Sequence, residues 1–304
     1  MAIGCDCNVG LSNTGRPGCV PLFSIVSSLI LVPLTDSDGN KNGIDLNAVL
    51  PPVWSDLVNE ADASKRWFPL PAFENVEMPK ADSLFEEAAS GRSAFLRQGK
   101  RSFTGELWAD DSTPTFLGKL QKSRCVEFGV YIVDVNGTLI GSEVEGFLYP
   151  IPVDNSSWDP KFMFATDSTV QKIMLGFDFD RLFEESTMYQ INADEAGINF
   201  TTLSGLIDVL FTNVVAAPTF DAVTFDAKLC YGTALNKILY QGADNLADWT
   251  VTNLTTTLAV TVTGATEGPD GTYTLTFAAQ ASLDSMKVEI SKTGYDGEVN
   301  FFMP

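Results

Sequence analysis

The carboxylates have the most obvious potential for acid–base chemistry in this sequence. The chain contains no histidine, so the commonest general base and the commonest neutral metal ligand are both missing. Glu143 and Glu145 would be the best pair for a carboxylate-based glycosidase. Alternate positions on one strand are poor evidence for two carboxylates that face each other across a cleft. The sequence also has no nucleophile elbow and no phosphate loop, so we expect no enzymatic activity and no cofactor.

The five cysteines are unevenly spread, at Cys5, Cys7, Cys19, Cys125 and Cys230. An odd, scattered set is not typical of a disulfide framework. The first three lie close enough to suggest a zinc knuckle, but a fourth ligand is missing nearby. Free thiols in a protein assembled in the cytosol are therefore the favoured interpretation.

Two acidic segments have the oxygen ligands that a hard cation prefers. Residues 36–45 resemble a calcium loop, but the glutamate that would close such a loop is absent, and Asp-Gly and Asn-Gly pairs favour plain turns. A second cluster contains Asp178, Asp180, Glu184 and Glu185. A solvated acidic face is the favoured interpretation of this cluster, and we expect no metal site.

Length and charge limit the function classes. A chain of 304 residues is long enough for two domains that each bury a core, and 45% hydrophobic residues argue against global disorder. The formal net charge of −20 disfavours a nucleic-acid reader or a DNA coat. This charge is explained either by solubility or by a surface that lets a polyanion pass without sticking.

Residues 99–146 form the centre of the first predicted domain. The pattern predicts a strand over 99–108, a short helix that Ser112 or Thr113 caps and Pro114 begins, and a strand from Val126. Asn136-Gly137 then predicts a tight hairpin, and residues 139–148 its return strand. Upstream, residues 22–34 are too short to span a bilayer and lack signal-peptide flanks, which predicts a buried strand and no membrane association.

The composition changes near residues 215–218, which predicts a domain boundary there. Before it, residues 169–179 predict a strand with a core face, and residues 203–213 a further strand. After it, about six short strands separated by Gly- and Asp-rich turns predict a small β-sandwich of immunoglobulin type. The sequence thus predicts a mainly β protein with one domain over residues 1–216 and another over residues 217–304.

The first domain resembles the tail tube (major tail) proteins of tailed bacteriophages. The resemblance rests on the run LRQGKRSFTGEL at residues 96–107, the helix and hairpin that follow it, and the strand over 171–179. It covers roughly residues 60–215, and the C-terminal segment is similar to the immunoglobulin-like domain that many members add.

This resemblance implies a β-sandwich or partial barrel with one short flanking helix. It also implies a virion structural protein, assembled in the host cytoplasm, that forms stacked homo-hexameric rings with other phage tail proteins. DNA would pass through an acidic lumen without specific binding. Residues 1–20 and the loop over 36–52 would bridge the rings. The lumen-facing candidates are Glu127, Glu143, Glu145, Asp178 and Asp180.

Three other function classes remain open at this point, and one of them is the carboxylate-based glycosidase considered above. A capsid decoration or head-fibre protein also combines β-domains with an immunoglobulin-like module. A cell-surface adhesin is disfavoured because no export signal is visible in the sequence. Rings or tubes of purified protein would separate the tail tube hypothesis from all three.

Overall fold

The computed structural model describes residues 22–48, 51–232 and 235–304. It is mainly β, with 47% strand and 13% helix, and its sheets are curled like half-barrels. This confirms the predicted fold class. Within the described ranges, fourteen strands lie in the first domain: β1 Val26–Pro33, β2 Ile44–Asp45, β3 Phe68–Pro69, β4 Glu74–Glu77, β5 Leu84–Glu87, β6 Ser93–Arg97, β7 Ser102–Trp108, β8 Phe128–Asp134, β9 Leu139–Val144, β10 Phe147–Tyr149, β11 Ile151–Pro152, β12 Asp159–Met163, β13 Lys172–Asp178 and β14 Met188–Ile191.

An eight-stranded and a four-stranded sheet form the sandwich of the first domain. The larger sheet has the order β2-β10-β9-β8-β1-β3, with β11 beside β8 and β14 beside β9. The smaller has the order β12-β13-β7-β4, and every pairing in it is antiparallel. The remaining two strands, β5 and β6, pair with each other and with no other described strand.

The main core lies between these two sheets. Alternate residues of β13 point inward, as predicted, and Ile173, Leu175 and Phe177 are buried with Phe103 and Leu107 of β7. The four-stranded sheet therefore has one packed face.

A second core covers the other face of the eight-stranded sheet. It contains Tyr131 and Val133 of β8, Leu139 of β9, and two tryptophans, Trp54 and Trp67. All seven residues of β8 are consequently buried. The eight-stranded sheet is thus packed on both faces.

The described part of the first domain forms three short α-helices: α1 Trp54–Val58, α2 Pro114–Lys122 and α3 Ala193–Ala196. The longest, α2, is the helix predicted from the sequence. The Thr113 hydroxyl accepts a hydrogen bond from the amide of Phe116, and Pro114 is the first helical residue. Its apolar side, including Leu120, packs on the main core.

The C-terminal domain is a second, smaller β-sandwich, as predicted. Its sheets have the orders β20-β21-β16-β15-β23, with β17 beside β16, and β19-β18-β22-β24. The core between them contains Phe225, Trp249 and Tyr273. Leaving aside residues 233–234, which the structure does not describe, ten strands form this domain: β15 Ile207–Ala216, β16 Ala222–Gly232, β17 Lys237–Leu239, β18 Trp249–Asn253, β19 Leu258–Val260, β20 Val262–Glu267, β21 Thr272–Phe277, β22 Ser285–Ile290, β23 Tyr295–Asp296 and β24 Glu298–Phe302.

Strand β15 belongs to the C-terminal sandwich rather than to the first domain. It pairs antiparallel with β16 and parallel with β23. The predicted boundary between residues 216 and 217 therefore falls in the turn of a β-hairpin. The sheets divide the chain about ten residues earlier, just before Ile207. The apolar alternation of this strand suits either sandwich, and only its long-range pairing decides between them.

The two sandwiches are joined by polar contacts as well as by the chain. The guanidinium of Arg66, which is buried, donates to the carboxylate of Asp296 over 2.6 Å. The Gly294 amide donates to the side-chain oxygen of Asn59, and Lys119 forms an ion pair with Asp208 at 2.7 Å. These contacts fix one end of the C-terminal sandwich against the first domain.

Candidate assembly surface

The outer side of the four-stranded sheet is an uncovered sheet face of the first domain among the described residues. Alternation fixes which side chains lie there, because successive residues of a strand point to opposite faces. On β7, Phe103 and Leu107 enter the core, so Thr104, Glu106 and Trp108 point outward. We call this side the open face. Its outward residues are Glu74, Glu77, Ser102, Thr104, Glu106, Trp108, Asp159, Lys161, Met163, Lys172, Met174, Gly176 and Asp178.

The open face is acidic, with five carboxylates and two lysines on its strands. Glu74 lies opposite Glu106 in the β4–β7 register, and Glu77 lies opposite Thr104. Neither Glu74 nor Glu77 has an ion-pair partner among the described residues. Their charges are therefore not neutralised within this part of the chain.

Glu106 is the most strongly held carboxylate of the open face. It accepts hydrogen bonds from the Lys172 ammonium at 2.6 Å, the Asn75 amide at 2.8 Å and the Trp108 indole at 2.9 Å. The bond from Lys172, assisted by those from Trp108 and Asn75, lowers the pKa of Glu106 below its usual range, although partial burial opposes the shift. Glu106 therefore stays ionised at neutral pH and orients the aromatic ring beside it.

A second charged group lies at the end of β13. Asp178 accepts from the Ser102 hydroxyl at 2.7 Å and from the Lys100 ammonium at 3.1 Å. The bond to Asp178 raises the pKa of Lys100. Nearby, Glu185 forms ion pairs with Arg101 and Lys80. The hydrogen bond from Arg101, and after it the one from Lys80, lowers the pKa of Glu185.

Both edge strands of the four-stranded sheet lack a second strand partner among the described residues. Within the residues that the structure describes, β4 pairs only with β7, and β12 pairs only with β13. Met163 at the end of β12 and Phe164 just beyond it are exposed apolar residues. Unpaired edges and exposed apolar side chains are features that a monomer has to protect and an assembly can use.

The five residues predicted to face the lumen do not lie on one sheet face. Asp178 lies on the open face. Asp180 lies beyond the end of β13, where its carboxylate accepts the amide of Leu182 and its own amide donates to Pro152. Their orientation toward a lumen stays a prediction.

Glu143 lies on β9 of the eight-stranded sheet, Glu127 lies just before β8, and Glu145 lies in the turn after β9. The centre of this sheet is packed on both faces. The prediction of these three glutamates as lumen-facing residues assumed that β8 and β9 have one packed face and one solvated face. The structure corrects that premise, because these strands are packed on both faces. The segment 139–148, predicted as one return strand, is instead two paired strands, β9 and β10. They are joined by a turn in which Glu145 and Gly146 have positive φ angles of 56° and 85°. Glu143 accepts the amide of Gly146 at 2.8 Å, so it stabilises this turn.

The suggested metal sites have plain structural explanations where the structure describes them. The Asp36 carboxylate accepts the amides of Asp38 and Asn40, as in an Asx turn, and forms an ion pair with Lys65. No group of three or more Cys, Asp or Glu suited to a metal occurs among the described residues. Cys5, Cys7 and Cys19 lie outside them, and Cys125 and Cys230 are free.

Sequence reasoning missed the carboxylates of the open face other than Asp178. Glu106, on the strand 102–108, was the easiest to find, because the inward residues of this strand are apolar at alternate positions. Glu74 and Glu77 were harder, since a bulge at Asn75, with a φ of 52°, breaks the alternation of β4. Asp159 starts a strand that contains Pro160, which masks the strand signal.

No helix among the described residues is long and apolar enough to cross a membrane. A scan of known protein families found no matching model, and a search of curated proteins found no match.

Proposed function

We propose that this chain is a structural subunit that assembles with copies of itself into stacked hexameric rings, and that these form the tail tube of a bacteriophage virion. The sequence resemblance suggests the family. One structural observation carries the proposal: an acidic sheet face that is uncovered and bounded by two unpaired edges. Such a sheet can be continued from subunit to subunit, which would create a closed wall with the open face on one side.

The charge of the open face supports its placement toward the bore. Phosphates bind wherever Lys and Arg collect, so a channel that conducts DNA should present few cations. Of the two lysines on the open face, Lys172 is paired with Glu106 and Lys161 with Asp159 at 2.5 Å. Glu74, Glu77 and the other carboxylates would then line the lumen together with Asp178.

Imaging of the purified protein tests the proposal directly. Negative-stain and cryo-electron microscopy should show rings or tubes, with the four-stranded sheets toward the axis. A chain that stays monomeric at high concentration would contradict it, and so would a tube with the open face outside. Binding of separate copies to capsids would favour the head-decoration alternative.

Charge reversal inside the bore sharpens the test. Tubes of the Glu74→Lys, Glu77→Lys variant, assembled with double-stranded DNA, should protect that DNA from nuclease, because the bore gains cations. The matched control, Asp244→Lys with Asp270→Lys, places the same charges on exposed positions of the C-terminal sandwich. Its tubes should leave DNA nuclease-sensitive. Equal protection by both variants would contradict a lumen-facing open face.

A further inference from the structure

A two-stranded hairpin projects from the four-stranded sheet. Strands β4 and β7 pair within the sheet, and the chain between them continues outward as β5 and β6. In the part of the chain that the structure describes, β5 and β6 pair only with each other. We call residues 81–99 the arm. At its base the amide of Ala81 donates to the carbonyl of Lys100. An isolated two-stranded hairpin is at best marginally stable in water, so the arm lacks the support that the other strands have.

The arm exposes large apolar side chains on both of its strands. Leu84, Phe85, Phe95 and Leu96 are between 47% and 57% exposed. The rings of Phe85 and Phe95 meet edge to face, with their centroids 5.6 Å apart. Every residue of β5 and β6 is exposed. A projecting element with paired aromatic rings and no core of its own is typical of a contact with another molecule.

The same chain has an apolar cleft between its two sandwiches. Its volume is about 600 Å³, within the range of binding pockets. The first domain contributes most of the lining, and Leu206 comes from the connection to the C-terminal sandwich. No residue of the arm lines this cleft in its own chain. Its apolar lining includes Leu31, Leu70, Phe116, Leu120, Phe128 and Leu206.

The charges of the arm and the cleft are complementary. Three cations and two aspartates line the cleft, and three carboxylates and two arginines lie on the arm. Within the cleft, Lys119 is paired with Asp208, whereas Lys122 has no ion-pair partner among the described residues. Glu86 and Glu87, next to Phe85, likewise have none there. An unpaired lysine beside the cleft thus matches unpaired glutamates beside the aromatic rings.

We propose that the arm of one copy of this chain inserts Phe85 and Phe95 into the interdomain cleft of a second copy. Glu86 or Glu87 then meets Lys122. The contact is heterologous, because arm and cleft are different surfaces of the same chain, so it propagates into a ring or a continuing stack. This inference deepens the proposed function by naming the surfaces that join the subunits, and it rests on that function for its setting.

Photo-cross-linking from the arm tests this contact in the full-length protein. The photoreactive residue p-benzoylphenylalanine replaces Phe95, and the protein is mixed with ¹⁵N-labelled chains before illumination. Mass spectrometry should then find cross-links between light and heavy chains that end in residues 116–128 or near Leu206. Cross-links confined to single chains would overturn the proposal.

Truncation of the aromatic pair tests its energetic role. Sedimentation velocity should show self-association weakened at least about tenfold in the Phe85→Ser, Phe95→Ser variant, as expected for anchor residues. The matched control is Leu258→Ser with Phe302→Ser, at positions 65% and 70% exposed on the C-terminal sandwich. It should associate like the wild type. Equal weakening in both variants would contradict a specific role of the arm.

A charge exchange tests the ionic contact separately. Lys122→Glu should weaken association, and adding Glu86→Lys and Glu87→Lys to the same chain should restore it. Failure of this rescue would contradict the pairing of these groups.

The outcomes distinguish this inference from the proposed function. Rings whose cross-links end elsewhere, including at residues 1–21, would overturn the arm–cleft contact and leave the proposed function standing. Cross-links into the cleft within dimers or filaments, without rings, would support the contact and contradict the proposed function. A chain that never self-associates would contradict both.

Discussion

Two hairpins of the first domain have similar turns and opposite surroundings. The β8–β9 hairpin turns at residues 134–138, where Asp134 accepts the amides of Asn136 and Thr138, both at 2.9 Å. The arm turns at residues 88–92, where Ala88 and Arg92 pair through a 2.8 Å hydrogen bond. Gly137 and Gly91 have nearly equal φ angles of 76° and 78°. Local turn chemistry therefore does not explain why one hairpin is buried and the other exposed.

The difference lies in what covers the strands. All of β8 and the first four residues of β9 are buried between two cores, whereas no residue of β5 or β6 is buried. The arm exposes four large apolar side chains that its own chain does not cover. This exposure indicates a contact outside its own chain. The arm–cleft proposal supplies that contact. The comparison can be tested with the same substitution in each hairpin.

Replacement of one leucine in each hairpin should give the largest contrast. Leu139→Ala removes a fully buried side chain of β9 and should lower the free energy of unfolding by about 3 kcal/mol. Leu96→Ala removes a half-exposed one from β6 and should change it by less than about 0.5 kcal/mol. Urea unfolding of dilute protein, followed by tryptophan fluorescence, measures both. Similar losses would show that the arm has a folded environment within its own chain.

Alanine in place of the turn glycines should give a smaller contrast. Both substitutions force a side chain into the left-handed region, at a cost of about 1 kcal/mol. At Gly91 the new Cβ would meet nothing within 4 Å, whereas at Gly137 it would lie 2.0 Å from the side-chain oxygen of Asn199. We therefore expect a loss of about 1 kcal/mol for Gly91→Ala and about 3 kcal/mol for Gly137→Ala. Equal losses in urea unfolding would indicate that Asn199 moves aside without cost.

Local signals in the sequence predicted the elements whose cause is local. Thr113 and Pro114 marked the start of α2, and Asn136-Gly137 marked the β8–β9 hairpin. The turn at Glu145-Gly146 was missed, since Glu rarely adopts a positive φ and the segment resembles a continuous strand.

Long-range packing could not be predicted in the same way. The sequence suggested one core face for β8, but Tyr131, on its other face, is buried and donates its hydroxyl hydrogen bond to the carbonyl of Leu148 at 2.7 Å. An aromatic residue with a polar tip suits a solvated face equally well. The second core, the pairing of β15, and therefore the domain boundary depend on residues far apart in the chain. For the same reason the open face, rather than β8 and β9, became the candidate assembly surface.

The smallest effect should be a change in stability with pH at the pair of strands, β4 and β7, from which the arm extends. Where β4 and β7 still belong to the four-stranded sheet, Lys172 lowers the pKa of Glu106. A carboxyl group with a lowered folded-state pKa stabilises the protein above its unfolded pKa, near 4.5, and this stabilisation is lost as the pH falls through the folded value. Both side chains keep some contact with solvent, so we expect a contribution of about 1 kcal/mol or less.

Glu106→Gln tests this contribution by difference, because other carboxylates also titrate in this range. Between pH 6 and pH 3 the free energy of unfolding, measured in urea, should fall more in the wild type than in Glu106→Gln. It should also fall more in the wild type than in Lys172→Ala. The double variant should behave like Glu106→Gln, since that substitution already removes both the titrating carboxylate and the ion pair. If the three variants and the wild type lose stability in parallel, the Glu106–Lys172 pair does not persist in solution. The open face would then present Glu106 as a free carboxylate beside Glu74, which would make the proposed bore more acidic.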